Sequence, residues 1–418
     1  MNHRAKKHWG VFINNQSDKK YFINGLLTDT VFHGFETLAS LKGALFSKIA
    51  LNTFILEEER HDRKIITSST PQTLRSMSSG EQKKALLGYL LKKDPDFLIL
   101  DNPFDNLDID SQKDLHNLLF TVSHRTSIVQ LISRKEDKLP FISHSVQLEG
   151  RSIRKHDGTY TTSSQKIGAN GMFKKPIPRS SKVFDHNIDA LIKFKDVTVH
   201  YGDKPIVRHI NWEIKPNEFW QLMGKNGSGK TTLLSMITGE NNKGYGQELY
   251  IFGKKKGSGE SIWDIKKRIG YFTPSMTDRF SGYHTLEHML ISGLHDSVGL
   301  YVKPSKTEVR LAGEWLQLID LLVIKDHYFH DLSMGQQRLV MVIRAMIKHP
   351  LLLILDEPTA GLDDKSAALF IALVNKIAQE SDTAIVFVSH REEKGLKPAF
   401  IYKLEMTGKG SIGKVIKQ

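Results

Sequence analysis

Residues 224–231 read Gly-Lys-Asn-Gly-Ser-Gly-Lys-Thr, and no other stretch of the chain restricts its fold and chemistry so tightly. The apolar run 219–223 before it and 233–237 after it suit a strand, a loop and a helix, the order in which a phosphate-binding loop is built. Gly224, Gly227 and Gly229 let successive backbone N–H groups turn inward around phosphate oxygens. Asn226 and Ser228 share that turn, and Thr232 stands just inside the helix, so all of these are candidate nucleotide-binding residues. Lys230 is expected to reach the β- and γ-phosphates and Thr231 to offer its hydroxyl to Mg²⁺. The helix beginning near Thr231 aims its positive end at the same place. The segment reads as a nucleotide-binding site.

The rest of the composition sets limits. A chain of 418 residues, 39% hydrophobic and 25% charged, has the balance of a globular protein and the length for more than one domain. Its longest apolar runs, such as 351–355, are strand-length and fall short of the ~18 residues a membrane span needs, so a membrane role requires a partner. Residues 1–10 are basic, but no apolar stretch of signal-peptide type follows, and the expected location is the cytoplasm. The absence of cysteine removes disulfides and thiolate metal sites. A net charge of +13 allows contact with nucleic acid, ribosome or anionic lipid; the alternative is solubility plus attraction of ATP.

The chain contains an internal repeat. SMSSGEQKK from residue 76 lies on DLSMGQQRL from 331, and FLILDNPFDNLD from 97 lies on LLILDEPTAGLD from 352, both at one offset. Farther upstream, residues 9–29 align without a gap on 220–240, which sets INNQSDKK from 13 against the phosphate loop. Lys19 survives opposite Lys230, but all three loop glycines are lost and Lys20 replaces Thr231. Side chains at Ile13, Gln16 and Asp18 would obstruct the close backbone approach that glycine permits. The interval from Lys19 to Ser78 is shorter than that from Lys230 to Ser333, so the first half lacks part of an insertion. It also lacks a counterpart of the alternating segments 191–201 and 206–215, which read as strands opening the second half.

Three regions are expected: a degenerate domain over 1–150, a basic linker over 151–187, and an intact domain over 188–418. The linker reading rests on residues 151–185, rich in Ser, Thr, Gly, Lys and Arg, with Pro176 and Pro178 and no sustained period. For residues 146–154 the alternative is a terminal hairpin of the first domain.

The loop at 224–231, LSMGQ from 332, LLLILDEPTAGLD from 351 and VSH from 388, in that order, resemble the ATP-binding cassette (ABC) ATPases. The resemblance covers residues 190–405 well and 9–150 as a worn second copy. It implies an α/β fold of two P-loop cassettes in tandem, the first truncated and degenerate. The second would add an antiparallel edge sheet and a helical insertion. It also implies an ATP hydrolase using Mg²⁺, in which each nucleotide lies between the loop of one domain and the signature of another. On that basis Asp356 completes the metal shell with Thr231, and Glu357 activates the attacking water. His390 meets the γ-phosphate, Tyr201 stacks on adenine, and Asp363 lies in the loop that communicates across a dimer. Ser78, Ser79, Gly80 and Glu81 would form the opposing wall of the intact site. Here Ser79 replaces the usual Gly and Glu81 the usual Gln, and a carboxylate near the phosphates weakens binding.

The mirror site on the first half is expected to be broken. Asn102 stands where Glu357 stands, and Ser133 or Arg134 faces the position of His390, depending on a one-residue gap. One working site per chain follows. A second departure affects the intact half: Thr273, Pro274 and Ser275 stand where the family carries a Gln that senses Mg²⁺ and couples to a membrane partner. That puts coupling to a conventional permease in question, although a water held by Ser275 is a substitute. The favoured role is a cytoplasmic ATP-binding subunit or regulator of a transport system, peripheral to a separate membrane permease. The alternatives are a protein acting on ribosomes or nucleic acid, and an ATP-dependent scaffold. Pairing of the two cassettes within one chain and pairing of two chains as a homodimer both remain open.

Overall fold

The computed structural model describes residues 6–28, 30–68, 72–155, 173–179, 188–280, 282–390 and 392–417. The chain divides into two compact units, residues 1–164 with 361–364 and residues 165–360 with 365–418.

The first unit contains β1 (His8–Phe12), α1 (Lys19–Leu27), β2 (Gly43–Phe46), α2 (Lys48–His61), α3 (Ser79–Leu91), β3 (Phe97–Asp101), α4 (Ile109–Ser123), β4 (Ser127–Ile132), β5 (His144–Glu149) and β6 (Ser152–Lys155). The strands form one sheet in the order β2-β3-β4-β1-β5-β6, parallel except for the final pair. β3 and β4 are buried along their whole length, as continuous apolar runs inside a parallel sheet must be. The β5–β6 hairpin carries the sheet past residue 150. Of β6 only Ile153 is even half-buried, so its sequence looks like linker although its backbone is paired. Most of the expected linker, 156–172 and 180–187, lies outside the described residues. The part between them, 173–179, packs into the second unit: Phe173 and Ile177 are buried, and the Ile177 N–H donates to Glu380 Oε2 at 3.1 Å.

The second unit contains β7 (Ile192–Tyr201), β8 (Lys204–Ile214), β9 (Phe219–Gly224), α5 (Lys230–Ile237), β10 (Leu249–Ile251), β11 (Lys254–Lys255), α6 (Ile262–Arg268) and β12 (Ile269–Phe272). α7 (Leu286–Ser292), α8 (Lys306–Leu318), α9 (Met334–Met346), β13 (Leu352–Asp356), α10 (Asp364–Glu380), β14 (Ala384–Ser389), β15 (Phe400–Glu405) and β16 (Ile412–Lys417) follow. Its main sheet runs β12-β13-β14-β9-β15-β16, again parallel except for the last pair. Strand for strand this is the topology of the first unit, so the repeat visible in sequence is a repeat of architecture. A separate antiparallel sheet, β11-β10-β7-β8, belongs to the second unit. The helical insertion between β12 and β13 holds α7, α8 and α9. α8 turns Ala312, Trp315 and Leu316 inward at helical spacing and starts in a capping box of Ser305 and Glu308.

The two sheets of this unit share one core, in which Trp212 of β8 stacks on Tyr402 of β15 with ring centroids 4.6 Å apart. The Tyr402 hydroxyl donates to the carbonyl of Asn211 at 3.0 Å, and a Cβ at Gly413 would lie 1.9 Å from that oxygen. Gly413→Ala is therefore expected to destabilise the unit by about 1–3 kcal/mol through overpacking, measured by denaturant unfolding. Among the described residues no helix is long and apolar enough to cross a membrane.

Candidate functional site

The parallel order β13-β14-β9 brings three chain segments to one end of the sheet, since Asp356 pairs in register with Val388 and Ser389 with Met223. The loop after β9, the carboxylates after β13 and the histidine after β14 thus leave neighbouring strand ends, where open α/β sheets carry their sites.

The loop is shaped by its glycines. Gly227 and Gly229 have φ of +77° and +94°, and a Cβ on Gly229 would lie 2.5 Å from Val207 Cγ1. α5 starts at Gly229 with no side chain capping it, so its first N–H groups face the loop cavity. Lys230 Nζ donates to the carbonyls of Gly224 and Lys225 at 2.7 and 3.1 Å, an ammonium held over the loop. Ser228 Oγ is buried without a hydrogen-bond partner, which leaves polar capacity for a bound phosphate. Asn226 and Thr232 are half-buried and Thr231 is exposed on the first turn of α5.

Asp356 ends β13, and Glu357 follows with φ +48°, a region sparsely populated by residues bearing a Cβ. The Glu357 N–H donates to Val388 O at 3.0 Å, pinning the turn to β14. Glu357 Oε1 lies 3.4 Å from His390 Nδ1, while His390 Nε2 is buried with no hydrogen-bond partner. Burial, then the neighbouring Glu357 charge, pushes the Asp356 carboxyl up to about 6, with Lys230 and Tyr271 opposing. Tyr271 of β12 reaches Asp356 Oδ2 with its hydroxyl at 3.5 Å. The sequence shows Tyr271 only as one apolar strand position, and no motif marks it. Tyr201, at the end of β7, is 46% exposed; its hydroxyl accepts from Asn241 Nδ2 at 2.7 Å and Lys243 Nζ lies 5.6 Å from the ring centroid.

Among the described residues no group of three or more acidic or histidine side chains could hold a metal by itself. The donors present suit a divalent cation that arrives on the nucleotide: Thr231 supplies a hydroxyl and Asp356 a carboxylate that burial and Glu357 leave short of positive charge. Thr273 leads into a 3₁₀ turn over Pro274–Arg279, held by Arg338 through the Pro274 carbonyl at 3.2 Å and Thr277 Oγ1 at 2.8 Å; Ser275 is exposed on it.

The first unit carries the same framework with different chemistry. Asp18, in the place of Gly229, caps α1 by accepting from the Tyr21 N–H at 3.0 Å and pairs with Arg151 Nε at 2.9 Å. That hydrogen bond and charge hold the Asp18 carboxyl below its usual range. An internal anion therefore occupies the helix end that α5 leaves uncapped. Lys19 Nζ donates to both oxygens of Asp101, at 3.1 and 3.0 Å. Strand register resolves the gap at the histidine position: Ile132 pairs with Phe12 as Ser389 pairs with Met223, so Ser133 stands opposite His390. Ser133 Oγ donates to Asn102 Oδ1 at 2.8 Å, and Asn102 keeps the φ of Glu357, +48°.

Both signature segments open a helix with a capping box. Ser333 with Gln336 starts α9, and Ser78 with Glu81 starts α3, where Glu81 Oε2 accepts from the Ser78 N–H at 2.8 Å and hydroxyl at 2.7 Å. Glu81 thus directs its carboxylate at the serine itself. Ser79 uses its hydroxyl to donate to Asn106 O at 2.9 Å, and a Cβ on Gly80 would sit 2.9 Å from Ser111 Oγ. The buried Lys83 of α3 donates to the carbonyls of Pro103 and Asp105 at 2.8 and 2.5 Å, and burial pushes its ammonium down to about 8.

A family model described as ABC transporter matches residues 207–360. The ABC transporter ATP-binding protein ModF of Escherichia coli is 34% identical over 360 residues, which cover 83% of this chain and 73% of that protein. An uncharacterized ABC transporter ATP-binding protein, C323.04 of Schizosaccharomyces pombe, is 32% identical over 330 residues, 78% of this chain and 67% of its own. The structure of cbiO1 from Clostridium perfringens, part of the ABC transporter complex cbiONQ, covers 54% of this chain and 87% of its own at 24% identity and a TM-score of 0.47. The phosphate loop and the paired carboxylates agree with the family model and with the 34% identity to ModF, and the chain belongs to the ABC family of transporter ATP-binding proteins, which bind and hydrolyse ATP.

Proposed function

We propose that the chain hydrolyses Mg-ATP at one site, on its second half, and that this cycle drives or regulates a transport system from the cytoplasmic face of a membrane. The observation that carries the proposal is the grouping of Lys230, Asp356, Glu357 and His390 at one end of the sheet, in a chain whose first half has counterparts that satisfy one another. Lys230 and the N–H groups of residues 224–231 hold the phosphates, and Thr231 and Asp356 hold the Mg²⁺ they carry. Glu357 orients and deprotonates the attacking water, a step worth about 10²–10⁴ in rate. His390 hydrogen-bonds the γ-phosphate, and Tyr201 stacks on adenine. Ser78, Ser79, Gly80 and Glu81 complete the site as the signature wall, supplied by the same chain or by a second copy as a homodimer. The relatives named as transporter ATP-binding proteins support the transport role and a separate membrane permease as partner.

The test is to trap the nucleotide-bound state with Glu357→Gln and identify by mass spectrometry what co-purifies from gently solubilised cells, with and without ATP. Nucleotide-dependent recovery of an integral membrane protein is the expected result. The charge of +13 favours a second reading, action on ribosomes or nucleic acid. Recovery of ribosomes, together with RNA affinity that falls steeply with salt, would replace the first reading by the second.

A further inference from the structure

Two side chains that no step of the chemistry above uses stitch the reacting strand ends together. Thr359 Oγ1 donates to Glu393 Oε1 at 2.5 Å, and both residues are buried, 3% and 8% exposed. Thr359 lies two residues beyond Glu357, and Glu393 lies three beyond His390. A hydroxyl bonded to a buried carboxylate is among the stronger neutral-to-charged hydrogen bonds. This one ties the turn bearing Glu357 to the segment bearing His390.

The tie adds to bonds that the turn already has. Glu357 holds φ +48°, and its backbone is bonded on both sides, from its own N–H to Val388 O at 3.0 Å and from the Ala360 N–H to its carbonyl at 3.2 Å. Those bonds fix where the turn leaves β13, whereas the separation of Glu357 and His390 side chains also depends on where the chain after β14 runs. The first half provides an internal comparison. Phe104 stands at the position of Thr359, stacked on His116 with centroids 4.3 Å apart, and has no hydroxyl to give. Glu136, in the place of Glu393, is exposed. The half that has lost the base and the histidine has lost this tie as well, while retaining the strained φ at Asn102.

We infer that Thr359 and Glu393 are positioning residues for ATP hydrolysis, a latch that holds Glu357 and His390 in register across the end of the sheet. The inference rests on the assignment of Glu357 and His390 to the chemistry. A latch of this kind acts on the reacting geometry and leaves the phosphate loop alone, so its loss lowers kcat and spares ATP binding.

The experiment measures kcat, KM for ATP and affinity for a fluorescent ATP analogue in full-length T359V, T359S, E393A, E393Q and the double variant T359V/E393A, with E357Q alongside. T359V and E393A are expected to lose about tenfold or more in kcat with KM unchanged. T359S restores the hydroxyl and the rate. E393Q, whose amide oxygen still accepts from Thr359, keeps most of the rate, and T359V against T359S carries the test should E393A not fold. The double variant is expected to lose about as much kcat as either single one, because each single variant already breaks the bond between the two side chains. Unchanged kcat in E393A, equal losses in T359V and T359S, or multiplying losses in the double variant would each overturn the latch. An inactive E357Q beside an unaffected E393A sinks the latch alone; wild-type turnover in E357Q sinks the site assignment and the latch with it.

Discussion

Lys230→Ala is expected to lower kcat/KM for ATP by about 10²–10³, the cost of removing one preorganised donor from a site of charge development, and Lys19→Ala to leave it unchanged. The two lysines occupy equivalent positions, so the contrast isolates what surrounds them. Lys230 stands behind an uncapped helix end, over two carbonyls of its own loop, among glycines that leave room for phosphate. Lys19 donates to both oxygens of Asp101, and the helix end beside it is capped by Asp18, itself paired to Arg151. In the intact half a lysine and an acid are kept for a phosphate and its cation; in the worn half they neutralise each other. For nucleotide to enter the first half it would have to displace the Lys19–Asp101 pair, expel the Asp18 carboxylate from the helix end and tolerate Ile13 and Gln16 against the phosphates. A steady-state ATPase assay of the two variants checks this, and an equal loss in both would show that the first half is also a working site.

Much of this was legible in the sequence because the chemistry of a phosphate loop demands glycine, lysine and threonine at fixed positions, and those letters stand at 224–231. Asp356 and Glu357 were legible through the resemblance to the ABC ATPases, which implies two acids at the end of an apolar strand such as 351–355. The repeat made it legible that the two halves share one architecture, while the order of strands within each sheet came from the structure. Other features depended on partners that sequence spacing does not reveal. Lys19 reads as a survivor of the loop, yet its role is set by Asp101 at the end of β3, a strand that β4 separates from the β1 preceding Lys19. β6 left the sequence divided between a linker and a terminal hairpin over 146–154, because an edge strand that buries one side chain leaves almost no period; the structure has the hairpin. Tyr271 and Glu393 lie in no motif, and the motif that contains Thr359 gives it no role; each matters through a contact between segments far apart in the chain. Glu81 is the reverse case, a departure that reads as damage. The structure gives it a local task, closing the capping box of α3 as Gln336 does for α9.

Asp356→Asn is expected to stop Mg²⁺-dependent turnover and at the same time to raise the stability of the nucleotide-free protein. The carboxyl is largely buried beside a second acid, and its value stands at about 6 where an ordinary aspartate has 3.8. A folded value above the unfolded one means that the ionised form opposes folding. The penalty is complete above about 6, shrinks as the pH falls, and is gone below 3.8. A rise from 3.8 to about 6 corresponds to no more than about 3 kcal/mol, part of which Asn recovers by keeping the shape and dropping the charge. Thermal unfolding without nucleotide should therefore show the variant ahead of wild type at about pH 8 and level with it near pH 4. With Mg-ATP present the ranking should reverse, because only the wild-type carboxylate gains from binding the cation. A variant less stable than wild type at about pH 8 would mean that the Tyr271 contact and local packing outweigh the buried charge. The expected outcome ties instability to function: a site that must attract a cation on a phosphate has to carry, while empty, negative charge that its own fold does not neutralise.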